Sequence, residues 1–402
     1  MENKIKLLWI SQYTPYVSNS HAGGKTFSYY YDYFANCGDF DVTLISICTK
    51  KDVSKAKQVI KERNFLVYTQ DGFKEKIKKL SNVEYKINLF NKHAGLVSNY
   101  YAKKIINNLK KLKKENYSPK IIILEWTQMV VFAQEIKKLF PNAKLVASEH
   151  DVTFVGYERR ANFYKGFKKL IWRIRSKNEK KIEIKSLKKC DLILPHNPDN
   201  IDVLKQYGIA ENKLMWLTPY FDNLSSIKRE PQKKDILFYG AMSRKENSLS
   251  ALWFIDNVLP LIKDKDIRFV ILGSNPPEEL KAKESKNIHI TGFVDKIDPY
   301  FSTSMCFVAP LLLGAGIKVK IIEALSSGIP VLTNEIGIEG IHAKDKVDYF
   351  YCVTKEDYAK AIETIYNNDT NDCVSGREFI VNNYSLESSR KKYQEKLKEL
   401  VK

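Results

Sequence analysis

The sequence lacks the cysteine spacing on which disulfide-rich domains and zinc ribbons depend. Its 402 residues include six cysteines, and no two of them form a Cys-x-x-Cys pair or recur at a regular interval. Disulfide frameworks and zinc-binding ribbons both require such spacing. The sequence therefore argues against both classes of protein and indicates a reducing compartment.

Long apolar runs are also missing. No uninterrupted apolar segment approaches the roughly 18 residues that a membrane-spanning helix needs. The start, Met1 to Lys6, is followed by no long apolar stretch, which predicts no signal peptide. Hydrophobic residues still make up 44% of the chain and aromatic residues 12%, which excludes a disordered or collagen-like chain. At 402 residues, the chain is long enough for two domains.

Acidic residues are scarce in the first half of the chain only. The whole chain carries 66 Lys and Arg against 47 Asp and Glu, a net charge of +19. Residues 1–200 hold 38 basic and 19 acidic residues, whereas residues 201–402 hold 28 of each. A bias in overall composition would act on both halves alike. The asymmetry therefore predicts a basic face whose partner is polyanionic: an anionic lipid surface, nucleic acid or an acidic polymer.

Short apolar strands alternate with helical segments along the chain, and the alternation restarts after the polar segment Ser225–Lys234. This rhythm is typical of parallel sheets covered by helices on both faces. The sequence predicts an α/β protein with two Rossmann-like, doubly wound parallel-sheet domains that face each other across a cleft. We expect these domains at residues 1–224 and 235–385, with a C-terminal helix at 386–402 that packs back across the molecule.

Several helix boundaries follow from the same pattern. Residues Tyr13 to Lys25 read as a loop, and Thr26 to Ala35 as the helix after it. Further helices are predicted near 128–139 and from Lys318 to Ser326, and a long basic helix is predicted after the strand Leu145–Ala147.

Glycines stand at several predicted strand ends. In open parallel sheets, ligands bind at the carboxyl ends of the strands, where glycine allows close backbone approach and helix N-termini favour anions. The glycines in such positions are Gly23, Gly24, Gly240, Gly273, Gly292, Gly314 and Gly316. Together they predict a ligand site in each domain.

The segment from Gly314 to Val331 carries the strongest ligand signal. A glycine pair opens a helix, and Lys318 and Lys320 fall in its predicted first turn. The helix dipole disfavours cations there by about 0.3–1 kcal/mol, so two lysines indicate an anionic ligand. Glu323 lies further along the helix, where a carboxylate could accept both hydroxyls of a ribose.

From about Leu7 to Lys402, these motifs resemble the retaining glycosyltransferases of family 4, which have the GT-B architecture. The resemblance rests on four stretches: Pro15 with Gly23-Gly24; Ser148-Glu149-His150-Asp151; Tyr239-Gly240-Ala241-Met242 with Asn247; and Gly314 to Val331, continuing to Thr333, Gly337 and Glu339-Gly340.

The resemblance implies a nucleotide-sugar site. Glu323 matches the glutamate that holds the donor ribose, Lys318 and Lys320 would face the diphosphate, and His150 matches a histidine beside the donor sugar. We therefore expect His150, Lys318 and Lys320 to be catalytic. The expected donor-binding residues are Gly23, Gly24, Gly240, Asn247, Gly273, Ser274, Phe293, Val294, Gly316 and Glu323.

The chain also departs from the family pattern. The first glutamate of the family's glutamate pair falls on Ala315, and the usual arginine after the first glycine of the second domain falls on Ala241. The usual lysine nearby falls on Glu246, with Arg244 and Lys245 shifted by a residue or two. Phosphate neutralisation would then rest on Lys318 and Lys320.

No metal and no cofactor are expected. The sequence shows no Asp-x-Asp at a strand end and no His/Cys cluster at ligand spacing. Lysines, a helix N-terminus and backbone amides suffice to stabilise a leaving diphosphate. The resemblance implies transfer of a hexosyl or N-acetylhexosaminyl group from a UDP- or GDP-sugar with retention, by front-face attack.

Residues 163–190 contain 11 Lys and Arg and two acids. Apolar residues recur there at helical spacing, which is typical of basic amphipathic helices on anionic membranes. We expect Lys168, Lys169, Trp172, Arg173 and Arg175 on the membrane or acceptor side, and part of the stripe packed in the core. The predicted partner is a glycan or glycolipid acceptor in cell-envelope polysaccharide biosynthesis. The predicted location is cytoplasmic, on the inner face of the plasma membrane.

Three other functions stay open. A GT-B sugar-nucleotide epimerase or hydrolase would turn over donor without an acceptor. A nucleic-acid-binding protein would use the basic half, but the sequence has no recognisable reading motif, so no nucleic-acid partner is expected. A protein glycosyltransferase with an acidic or Ser-rich acceptor is the third alternative.

Overall fold

The computed structural model describes residues 4–15, 21–48, 65–68, 96–231, 234–264, 266–368 and 373–402. The chain divides into two compact units: Met1–Tyr220 together with Leu386–Lys402, and Phe221–Ser385. The boundary lies four residues before the end of the predicted first domain. The predicted linker Ser225–Lys234 falls in the second unit, and the C-terminal helix falls in the first.

The first unit contains a six-stranded parallel sheet in the order β3-β2-β1-β4-β5-β6. Its strands are β1 (Ile5–Ser11), β2 (Phe40–Cys48), β3 (Phe65–Tyr68), β4 (Ile121–Glu125), β5 (Lys144–Glu149) and β6 (Leu192–Pro195). Its described α-helices are α1 (Ala22–Asn36), α2 (Asn99–Lys114), α3 (Thr127–Val130), α4 (Ala133–Leu139), α5 (Thr153–Phe163), α6 (Gly166–Leu187), α7 (Asp199–Gln206) and, at the C-terminus, Leu386–Glu399. This order is that of a doubly wound sheet.

The composition of the central strands explains why this sheet forms. Every residue of β4 is buried, as expected for a parallel strand covered on both faces. On one face, α1 packs Phe27 and Phe34 against Trp9 of β1. The C-terminal helix adds Tyr393 and Leu397 to the same core.

The second unit contains a six-stranded parallel sheet in the order β12-β11-β10-β7-β8-β9. Its strands are β7 (Asp235–Tyr239), β8 (Arg268–Leu272), β9 (Ile288–Gly292), β10 (Cys306–Ala309), β11 (Val331–Thr333) and β12 (Phe350–Tyr351). Its described α-helices are α8 (Lys245–Trp253), α9 (Glu278–Lys281), α10 (Asp298–Thr303), α11 (Val319–Ser327), α12 (Glu335–Ile338), α13 (Lys355–Asn368) and α14 (Val374–Asn383). The C-terminal helix of the first unit is therefore α15.

Both sheets confirm the predicted fold class of doubly wound α/β units. In each sheet the strand order reverses at the centre, between β1 and β4 in the first unit and between β7 and β10 in the second. Ligands of such sheets bind at the carboxyl ends of the strands beside this switch point. The fold therefore directs attention to the ends of these four strands.

Three helix boundaries were predicted wrongly. Helix α1 begins at Ala22 rather than Thr26, because the ring of His21 caps it. The helix predicted at 128–139 is two helices, α3 and α4. The long basic helix breaks into α5 and α6, and Gly166 at the break adopts a φ of 57° that glycine alone tolerates easily.

Among the residues that the structure describes, no helix combines the length and apolarity needed to cross a bilayer.

Candidate functional site

In the second unit, β7 and β8 are each followed by a glycine whose backbone conformation other residues rarely adopt. Gly240 follows β7 and Gly273 follows β8, and both have a φ of 153°. A Cβ atom on Gly273 would lie 1.7 Å from the carbonyl oxygen of Gly240, so only glycine fits there. The two strand ends therefore approach each other closely at the backbone level.

Lys320 and Asn247 meet beside Gly240. The ammonium of Lys320 donates a hydrogen bond of 2.6 Å to Oδ1 of Asn247 and lies 4.9 Å from the ring centroid of Phe238. A Cβ atom on Gly240 would lie 2.8 Å from Nζ of Lys320. The structure thus brings together three of the predicted donor-site residues.

The charge of Lys320 is poorly stabilised in this position. Desolvation is the main cause and the cations Arg244 and Lys318 add to it, so that the pKa of Lys320 falls to about 7. The carboxylates Glu323 and Glu246 oppose the shift only in part. An anionic ligand beside Nζ would restore the charged form.

Lys318 is placed differently from its prediction. It is the N-cap residue of α11 and not part of the first turn. Its ammonium donates to the carbonyl of Gly316 and to Oε2 of Glu339, the latter at 3.3 Å. Glu339 is thus a partner of Lys318 that the sequence interpretation did not assign.

Glu323, the predicted ribose-binding residue, is buried in α11 and 2% exposed. Its Oε1 accepts a hydrogen bond of 3.2 Å from the backbone amide of Asp222. Burial, together with the charge of Glu323, raises the pKa of Tyr239, whose hydroxyl also bonds to this carboxylate. The carboxylate is therefore held by partners within the second unit.

The remaining predicted residues of this unit are spread around the same edge of the sheet. Phe293, directly after β9, is 74% exposed, whereas Val294 is half-buried. The carbonyl of Ser274 accepts a hydrogen bond of 3.0 Å from the amide of Met242. Gly316 has a φ of 72°, a conformation that favours glycine.

In the first unit, Gly23 and Gly24 lie inside α1 and not in a loop before it. The amide of Gly24 donates a hydrogen bond of 2.9 Å to Nδ1 of His21. The amide of Gly24 thus takes part in capping α1, and the role of both glycines at a diphosphate stays a prediction.

His150 lies in the middle of a stack of three rings. Its ring is 4.6 Å from that of Trp126, with an interplanar angle of 15°, and 4.3 Å from that of His196, with an angle of 29°. The side chain is 14% exposed, and its Nε2 lies 2.7 Å from Oε1 of Glu125. The imidazole is held rigidly at the carboxyl ends of β4, β5 and β6.

Glu125 connects these groups from the end of β4. Its Oε2 accepts a hydrogen bond of 2.9 Å from Nε1 of Trp9, and its Oε1 accepts one of 2.8 Å from Oγ of Ser148. Burial raises the pKa of Glu125 to about 7 despite these donors. Desolvation, with the nearby His21, lowers the pKa of His150 to about 3.

The sequence interpretation missed Glu125, Trp126 and His196 as members of this site. A signal was present, because Glu125 ends the buried strand β4 and His196 directly follows β6. Polar residues at the carboxyl ends of parallel strands converge at one edge of the sheet. Together with His150, Glu125 and His196 offer ligand atoms that all lie within 4.8 Å of one another, although the sequence had indicated no such cluster.

A second polar cluster lies deeper in the first unit. Glu149, Glu179 and Glu183 are each 0% exposed. The amides of Thr153 and Phe154 donate to Glu183, and the hydroxyl of Thr127 donates to Glu149. Within the described ranges of the chain, no group forms a hydrogen bond with either carboxyl oxygen of Glu179. Burial and the neighbouring Glu183 raise the pKa of Glu179 to about 9, so this group is neutral at pH 7.

The basic helices display an exposed apolar stripe, which we define as Phe163, Phe167, Leu170 and Ile174. These side chains are 43%, 76%, 53% and 44% exposed, respectively. Ile171, the fifth apolar residue of the predicted stripe, is half-buried, so most of the predicted stripe is exposed and only part of it is covered.

The predicted membrane-side cations do not all behave alike. Lys168 and Arg173 are exposed, and Lys169 is half-buried. Trp172 lies between two guanidinium groups, with Arg160 5.0 Å and Arg175 4.7 Å from its ring centroid. The ring of Trp172 is therefore engaged within the unit.

Comparison with known proteins agrees with this geometry. Residues 233–368 match the family described as glycosyl transferases group 1. A sequence relative, an uncharacterized 44.6 kDa protein in the cps region of Klebsiella pneumoniae, is 25% identical over 144 residues. That match covers 32% of this chain and 37% of the relative, so the chain spans little more than a third of that protein.

Solved structures resemble the chain over nearly its whole length. The sucrose-phosphate synthase of Thermosynechococcus elongatus has a TM-score of 0.71 at 14% identity, covering 99% of each chain. HepE of Anabaena in complex with UDP has a TM-score of 0.67 at 11% identity, covering 98% of this chain and 100% of the other.

A TarM mutant of S. aureus, in complex with fondaparinux, α-GlcNAc-glycerol and UDP, has a TM-score of 0.64 at 14% identity. It covers 98% of this chain and 100% of its own. The chain has the GT-B fold, and the matched family together with this fold supports a glycosyltransferase.

Proposed function

We propose that the protein is a retaining glycosyltransferase of family 4 that moves a hexosyl or N-acetylhexosaminyl group from a UDP- or GDP-sugar to a glycan or glycolipid acceptor. The observation that carries this proposal is the group of Lys320, Asn247 and Gly240 at the carboxyl end of β7, where the carboxylates Glu323 and Glu246 offset the desolvation of the Lys320 ammonium only in part. A diphosphate is the ligand that such a site favours.

The nucleotides bound in solved structures of similar proteins favour UDP over GDP as the nucleotide of the donor. HepE was solved with UDP and with UDP-glucose, and the S. aureus TarM mutant was solved with UDP. A relative in a cps region, together with the fondaparinux and α-GlcNAc-glycerol bound in the TarM complex, supports a role in polysaccharide biosynthesis.

The proposed reaction occurs on one face of the donor sugar. The bond between the anomeric carbon and the diphosphate oxygen breaks, the acceptor oxygen bonds to the anomeric carbon on the same face, and the acceptor proton passes to the leaving phosphate. Lys320 stabilises the charge that develops on the diphosphate, and His150 contacts the donor sugar. The reaction as proposed uses no metal.

We further propose that the first unit binds the inner face of the plasma membrane through the apolar stripe. Exposed apolar side chains at helical spacing are flanked by the cations Lys168 and Arg173. Such a surface inserts into an anionic bilayer, where each nearby cation contributes about 1 kcal/mol. The acceptor would then be lipid-linked.

Calorimetric titration with UDP, GDP and their sugars tests the donor site. We expect one nucleotide diphosphate to bind one chain, and binding to be lost in Lys320→Met. Absence of binding by any nucleotide diphosphate would disprove the proposed function. Donor turnover at the same rate with and without acceptor glycans would instead indicate an epimerase or hydrolase.

Flotation with liposomes tests the membrane surface separately. We expect the protein to float with vesicles that contain anionic lipid and not with neutral vesicles at the same ionic strength. Failure to float at low salt would remove the membrane from the proposal and leave the donor site untouched.

A further inference from the structure

One side of α6 is exposed along nearly its whole length. Its exposed positions follow one another at intervals of three or four residues, so they share one face of the helix. These positions are Phe167, Leu170, Ile174, Lys177, Lys181, Lys185 and the C-cap Lys188. The face extends over about 30 Å, and it is apolar in the first half of the helix and cationic in the second.

Four lysines surround a groove at the cationic end of this face. The groove has a volume of about 380 Å³ and lies between the last turns of α6 and the residue that follows α7. It is lined by Lys180, Lys181, Ile184, Lys185, Lys188 and Tyr207, and we call it the lysine groove. No carboxylate belongs to this lining, which therefore offers positive charge and one hydroxyl group.

The acidic residues of α6 do not neutralise this surface. The helix contains two acids, Glu179 and Glu183, and both side chains are buried. The carboxylate of Glu183 accepts hydrogen bonds from the backbone amides of Thr153 and Phe154, on the inner side of the helix. The exposed side of α6, all of which the structure describes, therefore carries cations without anions.

The stability of the helix does not account for the lysines. Cations favour the last turn of a helix, which explains Lys185 and Lys188, but the effect falls off within that turn. Lys177, Lys181 and Lys185 stand four residues apart, and like charges at this spacing destabilise a helix. The earlier lysines thus act against the helix, and an anion bound between them would offset their repulsion.

The lysine groove also contains a hydrogen-bond donor that is held in place. Nζ of Lys180 donates a hydrogen bond of 3.1 Å to the hydroxyl of Tyr207 and lies 5.0 Å from the centroid of its ring. Because the hydroxyl oxygen accepts this bond, its own hydrogen can point to a ligand oxygen. Ammonium groups and a hydroxyl donor together match the oxygens of a phosphate group, which accepts charge-assisted hydrogen bonds.

The lysine groove lies apart from the site at the strand ends. Helix α6 leads into β6, so its C-terminal end lies at the edge of the sheet where the strands begin. His150 directly follows β5 and therefore lies at the opposite edge, where the strands end. A ligand of the lysine groove is thus bound away from the histidine to which we assign a contact with the donor sugar.

We propose that the lysine groove binds the headgroup of a membrane lipid that ends in a phosphomonoester or diphosphate. The apolar stripe on the same face of α6 selects a lipid over a soluble phosphate, because a helix in the plane of the interface presents both to one leaflet. This inference rests on the membrane binding that we propose above, and it does not rest on glycosyl transfer.

Co-sedimentation of the full chain with vesicles tests the selectivity for a terminal phosphate. The vesicles contain phosphatidylcholine with either phosphatidic acid or phosphatidylglycerol, at equal zeta potential. We expect about tenfold tighter binding to the phosphatidic acid vesicles, because their phosphate carries more charge towards the lysines. Lys181→Gln with Lys185→Gln should reduce the ratio of the two affinities to about one, because the groove then lacks two of its cations.

A matched pair of substitutions controls for general attraction of a basic surface. Lys110→Gln with Lys114→Gln removes two exposed charges, also four residues apart, from α2. Helices α2 and α6 both pack on the same core of the first unit, so the control lies in the same layer of helices. The control pair should keep the wild-type ratio. An equal fall in both pairs would show diffuse attraction and overturn the lysine groove as a site.

Three further results would overturn the lipid assignment. The first is equal affinity of the wild type for the two kinds of vesicle, which does not depend on any variant. The second is complete release from phosphatidic acid vesicles by inorganic diphosphate at the same phosphate concentration, which would indicate a soluble ligand. The third is binding of single-stranded RNA that is lost in the Lys181 and Lys185 variant, which would indicate a nucleic acid.

Calorimetry with UDP on the same preparations separates this inference from the proposed function. The Lys181 and Lys185 variant should bind UDP as the wild type does, because the proposed diphosphate site is in the second unit. A chain that prefers phosphatidic acid but binds no nucleotide diphosphate would lose the proposed transfer and keep the lysine groove. A chain that binds UDP without distinguishing the vesicles would keep the proposed transfer and lose the groove.

Discussion

At the scale of single residues, Lys320 combines a buried environment with a position beside the proposed diphosphate site. Its pKa of about 7 means that the free side chain is about half neutral at pH 7. A bound diphosphate raises this pKa, so binding takes up a proton above pH 7. Nucleotide affinity should therefore fall as pH rises from 7 to 9.

The dependence of nucleotide affinity on pH can be measured directly. We expect UDP affinity to drop by up to about tenfold per pH unit, as expected for uptake of one proton. Lys320→Arg, which stays charged throughout this range, should remove most of the dependence. Calorimetry at pH 7, 8 and 9 checks both, and a flat profile in the wild type would contradict the assignment.

The raised pKa of Glu179 predicts how the stability of the first unit depends on pH. Its pKa is about 9 in the folded chain and near 4.3 when unfolded. A group with a raised folded pKa stabilises fully below its unfolded pKa and loses that contribution as pH rises towards its folded pKa. The first unit should therefore lose stability between about pH 5 and pH 9.

Replacement of Glu179 by glutamine removes this loss. At pH 9, Glu179→Gln should raise the free energy of unfolding by at least about 1.4 kcal/mol, the equivalent of one pKa unit. At pH 5 the variant and wild type should be similar. Urea denaturation at both pH values checks this, with Glu158→Gln on the exposed surface of α5 as control. A larger effect at pH 5 than at pH 9 would reverse the assigned sign.

At the scale of elements, the break at Gly166 separates α5 from α6 and divides the apolar stripe between them. In one continuous helix, all the apolar residues would follow one helical periodicity. Because of the break, the exposed apolar stripe is divided between α5 and α6. Helical periodicity in the sequence identified the apolar residues of the stripe correctly. It could not show whether other elements would cover these residues, because that depends on where each helix ends.

The apolar stripe gives a prediction that separates membrane binding from folding. Phe167→Ser with Leu170→Ser should lower liposome binding at least tenfold, because burying each such side chain in a bilayer contributes about 1.5–3 kcal/mol. Thermal stability should change little, since both side chains are exposed. Val381→Ser, an exposed apolar residue of the second unit, is the matched control and should bind liposomes as wild type does.

The order of the strands explains what sequence alone could and could not predict. Apolar runs located the central strands, and Gly240 and Gly273 follow β7 and β8 as predicted. Glu125 and His196 are 71 positions apart and meet only because β5 lies between β4 and β6. A local sequence pattern does not specify which strands are neighbours in the sheet. The proximity of Glu125 and His196 could therefore be recognised only once the fold was known.

At the scale of the whole molecule, the first unit is built from two distant parts of the chain. Tyr393 and Leu397 of α15 are 1% and 0% exposed in the same core as Trp9 and Phe34. The oxygen of Ser389 accepts a hydrogen bond of 3.1 Å from the amide of Thr218. The first unit therefore needs its last helix to complete its core.

Leu397→Ala tests this dependence. It should destabilise the first unit by about 2–5 kcal/mol, because a buried leucine leaves a cavity. The unfolding transition of the second unit should stay in place, since its core contains no residue of α15. Calorimetry with Glu395→Ala as the exposed neighbour checks this, and a shift of both transitions would show that the units unfold together.

The discontinuous first unit also has a consequence for the nascent chain. The ribosome makes residues 221–385 before it makes Tyr393 and Leu397. The second unit can therefore close its core while the first still lacks two of its aromatic and aliphatic contacts. Domains usually mature in the order in which they are translated. Here the unit that is started first completes its core last, only after Tyr393 and Leu397 have been made.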